Sequence, residues 1–222
     1  MTTETQSPTQ TTIQTTPTPS ALLKVQQLQG QTPLGEPLFE AIDWSLRPGE
    51  LWVLRGPNGV GKSTLLKIFL GIHPYFTGQL DGPLCPSEKV YLPQITQPHL
   101  AWPITLGEVL GLEVPKDSTL TAKALELKLI TPELLKRPWA GASGGERQRL
   151  LLLKSLQQPE GKLLLLDEPF NHLDERSLFA AHQLLQWQIK RGQGVAALIS
   201  CHNDWEVPSA LSGELRLKKV KA

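Results

Sequence analysis

This chain of 222 residues predicts an α/β fold built on a mainly parallel sheet, and three observations carry that expectation. Residues 56–63 read Gly56-Pro57-Asn58-Gly59-Val60-Gly61-Lys62-Ser63, a phosphate-binding loop of the form G-x-x-x-x-G-K-[ST], set between an apolar run and a helical pattern. Leu163-Leu164-Leu165-Leu166 and Val195-Ala196-Ala197-Leu198-Ile199 are apolar throughout, as strands covered on both faces of a parallel sheet must be. Helical patterns alternate with these runs, which implies right-handed crossovers and gathers functional loops at the carboxyl ends of the strands.

Residues 1–20 hold nine threonines with Gln, Ser and Pro and a single charge, Glu4. With so little to bury they predict a disordered tail, and they lack the basic start and apolar centre of a secretory signal. Residues 21–222 predict one domain, a P-loop NTPase core with an N-terminal antiparallel β segment and a small helical subdomain at about 95–145. The β segment is expected between Ala21 and Glu50, in Leu23-Lys24-Val25 and in Phe39-Glu40-Ala41-Ile42-Asp43-Trp44. Leu51-Trp52-Val53-Leu54 then reads as a buried strand and 63–70 as a helix. Residues 71–86, rich in Gly and Pro, read as a turn-laden connection, and 90–93 as a short strand ending at Gln94.

The insert shows helical spacing at Leu106, Val109 and Leu110, then at Ala124, Leu125, Leu127 and Leu129 and at Leu134 and Leu135, with Thr131-Pro132-Glu133 as a helix start. Helices are expected at 147–156 and 178–190, and the last apolar run leads to His202. Basic and acidic side chains number 22 and 21, a net charge of +1, so no global field points to nucleic acid or anionic lipid. No run approaches the roughly 18 apolar residues of a membrane span, which predicts a soluble protein. Cys85 and Cys201 form no metal-spaced pair or disulfide framework, in keeping with a reducing compartment.

The chemistry starts at the loop. Glycines 56, 59 and 61 let successive N–H groups turn inward as a nest for phosphate oxygens at a helix N-terminus. Lys62 is placed to reach the β- and γ-phosphates and Ser63 to ligate Mg²⁺, with Pro57, Asn58, Val60 and Thr64 completing the nucleotide contacts. At the end of the four-leucine strand, Asp167 can hold Mg²⁺ while Glu168, projecting differently, polarises the attacking water.

Ala142-Ser143-Gly144-Gly145-Glu146-Arg147-Gln148-Arg149 resembles the signature sequence of ATP-binding cassette (ABC) ATPases, and it lies just before the Asp167-Glu168 strand as in that family. Gln94 matches the family's Q-loop glutamine, Asn171-His172-Leu173-Asp174 its D-loop, and His202 its switch histidine. The resemblance covers nearly the whole chain after the tail. It implies ATP and Mg²⁺ as cofactors, Glu168, His202 and Gln94 as catalytic residues, and Ser63, Gln94 and Asp167 as metal ligands. Ser143, Gly144, Gly145 and Glu146 would contact a nucleotide held by another copy, in a head-to-tail dimer.

Two departures stand out: Thr32 occupies the place of the family's adenine-stacking aromatic, and Ala142 that of the leucine opening its signature. The family also implies separate transmembrane permease subunits, a solute-binding protein in importers, no nucleic acid, and a peripheral place on the cytoplasmic face of the membrane. Tyr91-Leu92-Pro93-Gln94 followed by Trp102-Pro103-Ile104-Thr105-Leu106 resembles ATPases of zinc- and manganese-type importers. A soluble assembly ATPase, such as those of iron–sulfur cluster machinery, is the alternative. A nucleic-acid-associated member would bring two cassettes or a long coiled-coil insert, and the near-neutral charge argues against it. Residues 97–109 suit a docking surface for a membrane subunit, where Trp102 is either the aromatic anchor or part of the insert's own core.

Overall fold

The computed structural model describes residues 21–82, 85–94, 104–109, 111, 119–157, 162–191 and 194–220. In chain order the elements are β1 (Leu23–Gly30), β2 (Ile42–Leu46), β3 (Leu51–Arg55), α1 (Lys62–Leu70), β4 (Phe76–Asp81), β5 (Lys89–Leu92), α2 (Leu106–Val109), α3 (Thr119–Glu126) and α4 (Pro132–Leu135). There follow α5 (Gly144–Leu156), β6 (Leu163–Asp167), α6 (Glu175–Arg191), β7 (Ala196–Ser200) and β8 (Gly213–Arg216). Five strands form a parallel sheet in the order β5-β6-β7-β3-β8, and three form an antiparallel sheet in the order β2-β1-β4.

Every residue of β6 and β7 is buried, so the apolar runs do mark the covered centre of the parallel sheet. Alternation along these strands divides the core. Leu163, Leu165, Ala196 and Leu198 pack with Leu65, Leu66, Ile68 and Phe69 of α1 on one face. Leu164, Leu166, Ala197 and Ile199 pack with Leu150, Leu153, Leu184 and Leu185 of α5 and α6 on the other. Each such side chain taken fully out of water is worth about 1.5–3 kcal/mol, which makes this two-faced centre the rigid base for whatever the strand ends carry.

Three expectations need correction. Residues 71–86 hold the strand β4 as well as turns; Gly78 interrupts it and only Phe76 and Leu80 are apolar, so the pairing with β1 rather than local pattern makes it a strand. The strand expected from Phe39 begins only at Ile42, because Phe39 is a buried plug whose ring packs where Gly30 and Gly61 leave room. β8 went unpredicted; its buried Leu215 between exposed Glu214 and Arg216 is the weak alternation of an edge strand.

The helices begin earlier than their apolar spacing implies, α5 at Gly144 and α6 at Glu175, since polar caps open them. Thr131 caps α4 as expected, accepting the Leu134 N–H at 3.2 Å. Leu106, Leu120, Leu134 and Trp139 of the insert bury into the same core as Leu164 and Ile199. The tail, Leu110 and Gln97 to Pro103 with Trp102 lie outside the described residues.

Candidate functional site

The loop between β3 and α1 opens on a cleft of about 340 Å³. Gly61, the residue before α1, has φ 103°, a left-handed conformation that a side chain disfavours, and no side chain caps the helix. Its first-turn N–H groups therefore remain available to an anion. Lys62 is buried, and its Nζ donates to the carbonyls of Gly56 at 2.9 Å and Pro57 at 3.3 Å, folded back over the loop it would leave on meeting phosphate. Asn58, Gly59, Gly61, Lys62, Ser63 and Thr64 line one wall with Leu38. Gln94, Glu168 and His202 line the other, although they come from three different strand ends.

Glu168 follows β6 with φ 51°, uncommon for a side-chain-bearing residue. Gln94 Nε2 donates to its Oε2 at 2.7 Å, and Asn171 Nδ2 to the same oxygen at 3.1 Å. His202 Nε2 stands 3.3 Å from Oε1. The backbone is held too: Glu168 N–H donates to Ser200 Oγ at 2.9 Å, while Gln148 Nε2 donates to the carbonyls of Glu168 at 3.3 Å and Pro169 at 2.9 Å. The motifs point to Gln94, Glu168 and His202 and contain Asn171 and Gln148 without naming their contacts, while Ser200 lies in none of them. A polar residue closing the otherwise apolar run of β7 is the one signal that could have found Ser200.

The turn after β7 is built on a buried carboxylate. Glu206 accepts from the N–H groups of His202 at 3.0 Å and Asn203 at 3.4 Å and from Asn203 Nδ2 at 2.7 Å, and its carbonyl bonds His182 Nε2 at 3.0 Å. Arg55, last residue of β3, pairs with Asp204 at 2.6 Å and ties this turn to the strand that feeds the phosphate loop. Burial and then the charge of Glu206 push the Cys201 thiol up to about 12, so it stays neutral beside His202.

Ser63 and Gln94 line the cleft, whereas Asp167 is buried behind it, its Oδ1 accepting from Ser200 Oγ at 2.6 Å. Their hydroxyl, amide and carboxylate oxygens are the hard donors that Mg²⁺ takes alongside phosphate, so the donor chemistry suits a divalent cation.

Ser143 and Gly144 are exposed, and neither lines the cleft beside Lys62. Ser143 is the N-cap of α5: its Oγ accepts the Glu146 N–H at 3.2 Å, and Glu146 Oε2 accepts the Ser143 N–H at 2.8 Å. Desolvation opposes it, yet the bonds from Ser143 and the charge of Arg137 hold the Glu146 carboxyl below its usual range. Glu146 was expected among the nucleotide contacts; its carboxylate is engaged by Ser143 and Arg137, shaping the turn. Gly145 is needed for close approach, since a Cβ there would stand 2.5 Å from the His172 carbonyl. Thr32, in the place of the missing aromatic, accepts the N–H groups of Leu34 at 3.3 Å and Glu36 at 3.2 Å within its own turn, and Leu38 is the apolar side chain at the cleft.

Comparison with known proteins agrees with this geometry. A family model described as ABC transporter matches residues 39–171. The chain is 37% identical over 172 residues to a zinc import ATP-binding protein ZnuC of Magnetococcus marinus, covering 76% of this chain and 64% of that protein. A protein of the same name from Cereibacter sphaeroides is 35% identical over 167 residues, covering 75% and 67%. The chain thus spans about two thirds of the length of these curated relatives. Among solved structures, one described as an inward-facing conformation of a proposed metal-chelate type ABC transporter aligns with TM-score 0.69 and 25% identity, covering 90% of this chain and 81% of that one.

Proposed function

The chain belongs to the ABC transporter family, and on that premise we propose that it binds and hydrolyses ATP to drive a membrane transporter, in its most specific form a metal-ion importer. The observation that carries this reading is the convergence of Gln94, Asn171 and His202 on one carboxylate, Glu168, across a cleft from the Lys62 loop.

Lys62 and the first N–H groups of α1 bind the β- and γ-phosphates, trading the Gly56 and Pro57 carbonyls for phosphate oxygens. Ser63, Gln94 and Asp167 would hold Mg²⁺, which would neutralise negative charge on the phosphates. Glu168 accepts the proton of the attacking water, and Gln94 and His202 hold that water in line with the scissile bond.

The exposed N-terminus of α5 serves a second copy. Its first-turn amides and Ser143 close over the nucleotide seated on the partner's Lys62 loop, giving a head-to-tail dimer with two shared sites. Among the described residues no helix is long and apolar enough to cross a membrane. The family and the import proteins that this chain resembles support separate permease subunits as the cargo path, with a solute-binding protein delivering the ion and this chain docked on the cytoplasmic face. The ZnuC relatives are named for zinc import, which supports a metal ion as the cargo and favours an importer over an assembly complex.

Affinity purification from native membranes tests the reading. Permease polypeptides should accompany the chain, whereas a strictly cytosolic set of partners would contradict it. A second check concerns the shared site: Gly145→Ala drives its Cβ against the His172 carbonyl and shifts the α5 N-terminus relative to Asn171 and Glu168. Turnover should fall about 100-fold, the scale of a misplacement near 1 Å, while the Kd for ATP at the Lys62 loop stays unchanged. Steady-state kinetics beside equilibrium nucleotide binding would reveal that split.

A further inference from the structure

Ser200 closes β7 and pairs across the sheet with Asp167. Its side chain is fully buried, at 0% exposure, directly beneath the two carboxylates. The hydroxyl accepts the Glu168 N–H at 2.9 Å and donates to Asp167 Oδ1 at 2.6 Å. The backbone amide sets the direction of both bonds: an amide only donates, so a lone pair of the hydroxyl faces the Glu168 N–H and its one proton is left for Asp167 Oδ1. A single oxygen atom thereby fixes two neighbouring residues of different duty.

We propose that Ser200 is a positioning residue whose buried hydroxyl, bridging the Glu168 amide and the Asp167 carboxylate, aims the base and reserves Asp167 Oδ2 for the divalent cation that accompanies the nucleotide. The inference rests on the ATPase reading above. Glu168 needs such a hold because its φ of 51° is a conformation that most side chains avoid. Ser200 secures the N–H side of that residue and Gln148 the carbonyl side, leaving the carboxylate directed at Gln94, Asn171 and His202. Without the hydroxyl, a buried amide loses its partner and the Asp167 carboxylate is free to rotate. Partners of this outer kind change metal affinity or activity by roughly 10- to 100-fold when removed.

Three variants separate the hydroxyl from its volume: Ser200→Ala removes both, Ser200→Cys keeps the volume with a weak donor, and Ser200→Thr keeps the hydroxyl. Each is compared with the parent protein by ATP turnover, by Mn²⁺ titration of the ATP-loaded protein followed by electron paramagnetic resonance, and by ATP affinity in the absence of metal. Mn²⁺ favours the same oxygen ligands as Mg²⁺. The Ala and Cys variants should lose about 10- to 100-fold in both turnover and Mn²⁺ affinity, with metal-free ATP affinity unchanged, and Thr should recover most of both. Parent-like turnover and Mn²⁺ affinity in Ser200→Ala would overturn the proposal. Equal losses in all three variants with equal falls in Tm would overturn it in favour of packing. A parent protein that binds ATP without turning it over would fault the ATPase reading alone, because the Mn²⁺ titration needs no hydrolysis to read Ser200.

Discussion

Glu168→Gln should bind ATP with nearly parental affinity, lose about 100- to 10,000-fold in turnover, and accumulate as an ATP-bound dimer. The substitution conserves shape, and the bonding pattern around Glu168 says how the amide would lie. Oε2 accepts from both Gln94 and Asn171, so the new carbonyl oxygen must take that place. The new NH₂ then replaces Oε1 and faces His202 Nε2. The site stays assembled without its base. ATP-loaded chains would close and be unable to reopen by splitting the γ-phosphate. Single-turnover kinetics and a doubling of sedimenting mass on adding MgATP would register both effects; parental turnover would remove Glu168 from the role of base.

Lys62→Ala should fail one step earlier. The Nζ of Lys62 makes two bonds to loop carbonyls, and its exchange of these for phosphate oxygens supplies charge-assisted bonds that alanine cannot make. A loss of about 2–4 kcal/mol, or roughly 30- to 1,000-fold in Kd for ATP, is expected from bonds of that class. The variant also loses the clasp across Gly56 and Pro57, so the loop itself becomes looser before any nucleotide arrives. Equilibrium binding of a fluorescent ATP analogue would measure the change, and unaltered affinity would contradict the place given to Lys62. The two variants are complementary, since one binds without turnover and the other loses turnover because it does not bind.

Much of this was legible in the sequence because it is local. The phosphate loop declares itself in eight consecutive residues, and β6 and β7 do so in runs whose every side chain is buried. What escaped was made elsewhere in the chain. β4 and β8 hold mostly polar sequences that become strands by pairing with β1 and β3. Phe39 looked like part of a strand but is held out of one by the space that two distant glycines leave for its ring.

The site divides in the same way. Gln94, Glu168 and His202 were readable by motif order, yet the bonds joining them span 74 and 34 residues of chain, beyond any periodicity. Ser200 lies in no motif, and Gln148, though inside the signature sequence, has no role assigned by it. Their part follows from the sheet register that sets Asp167 beside Ser200 and from the packing of α5 beside the end of β6. Glu146 adds a role that the motif did not carry, for a position taken with its neighbours as a nucleotide contact is also half of a capping box.

In the proposed dimer, one chain's phosphate loop and another chain's Ser143 segment enclose the same nucleotide. The most direct measurement is a crystal structure of Glu168→Gln with MgATP. It should show two chains related head to tail, with the Ser143 hydroxyl and the Gly144 and Gly145 amides within hydrogen-bonding distance of the γ-phosphate held by the partner's Lys62. A closed site formed within one chain, its residues 143–145 facing solvent, would contradict it.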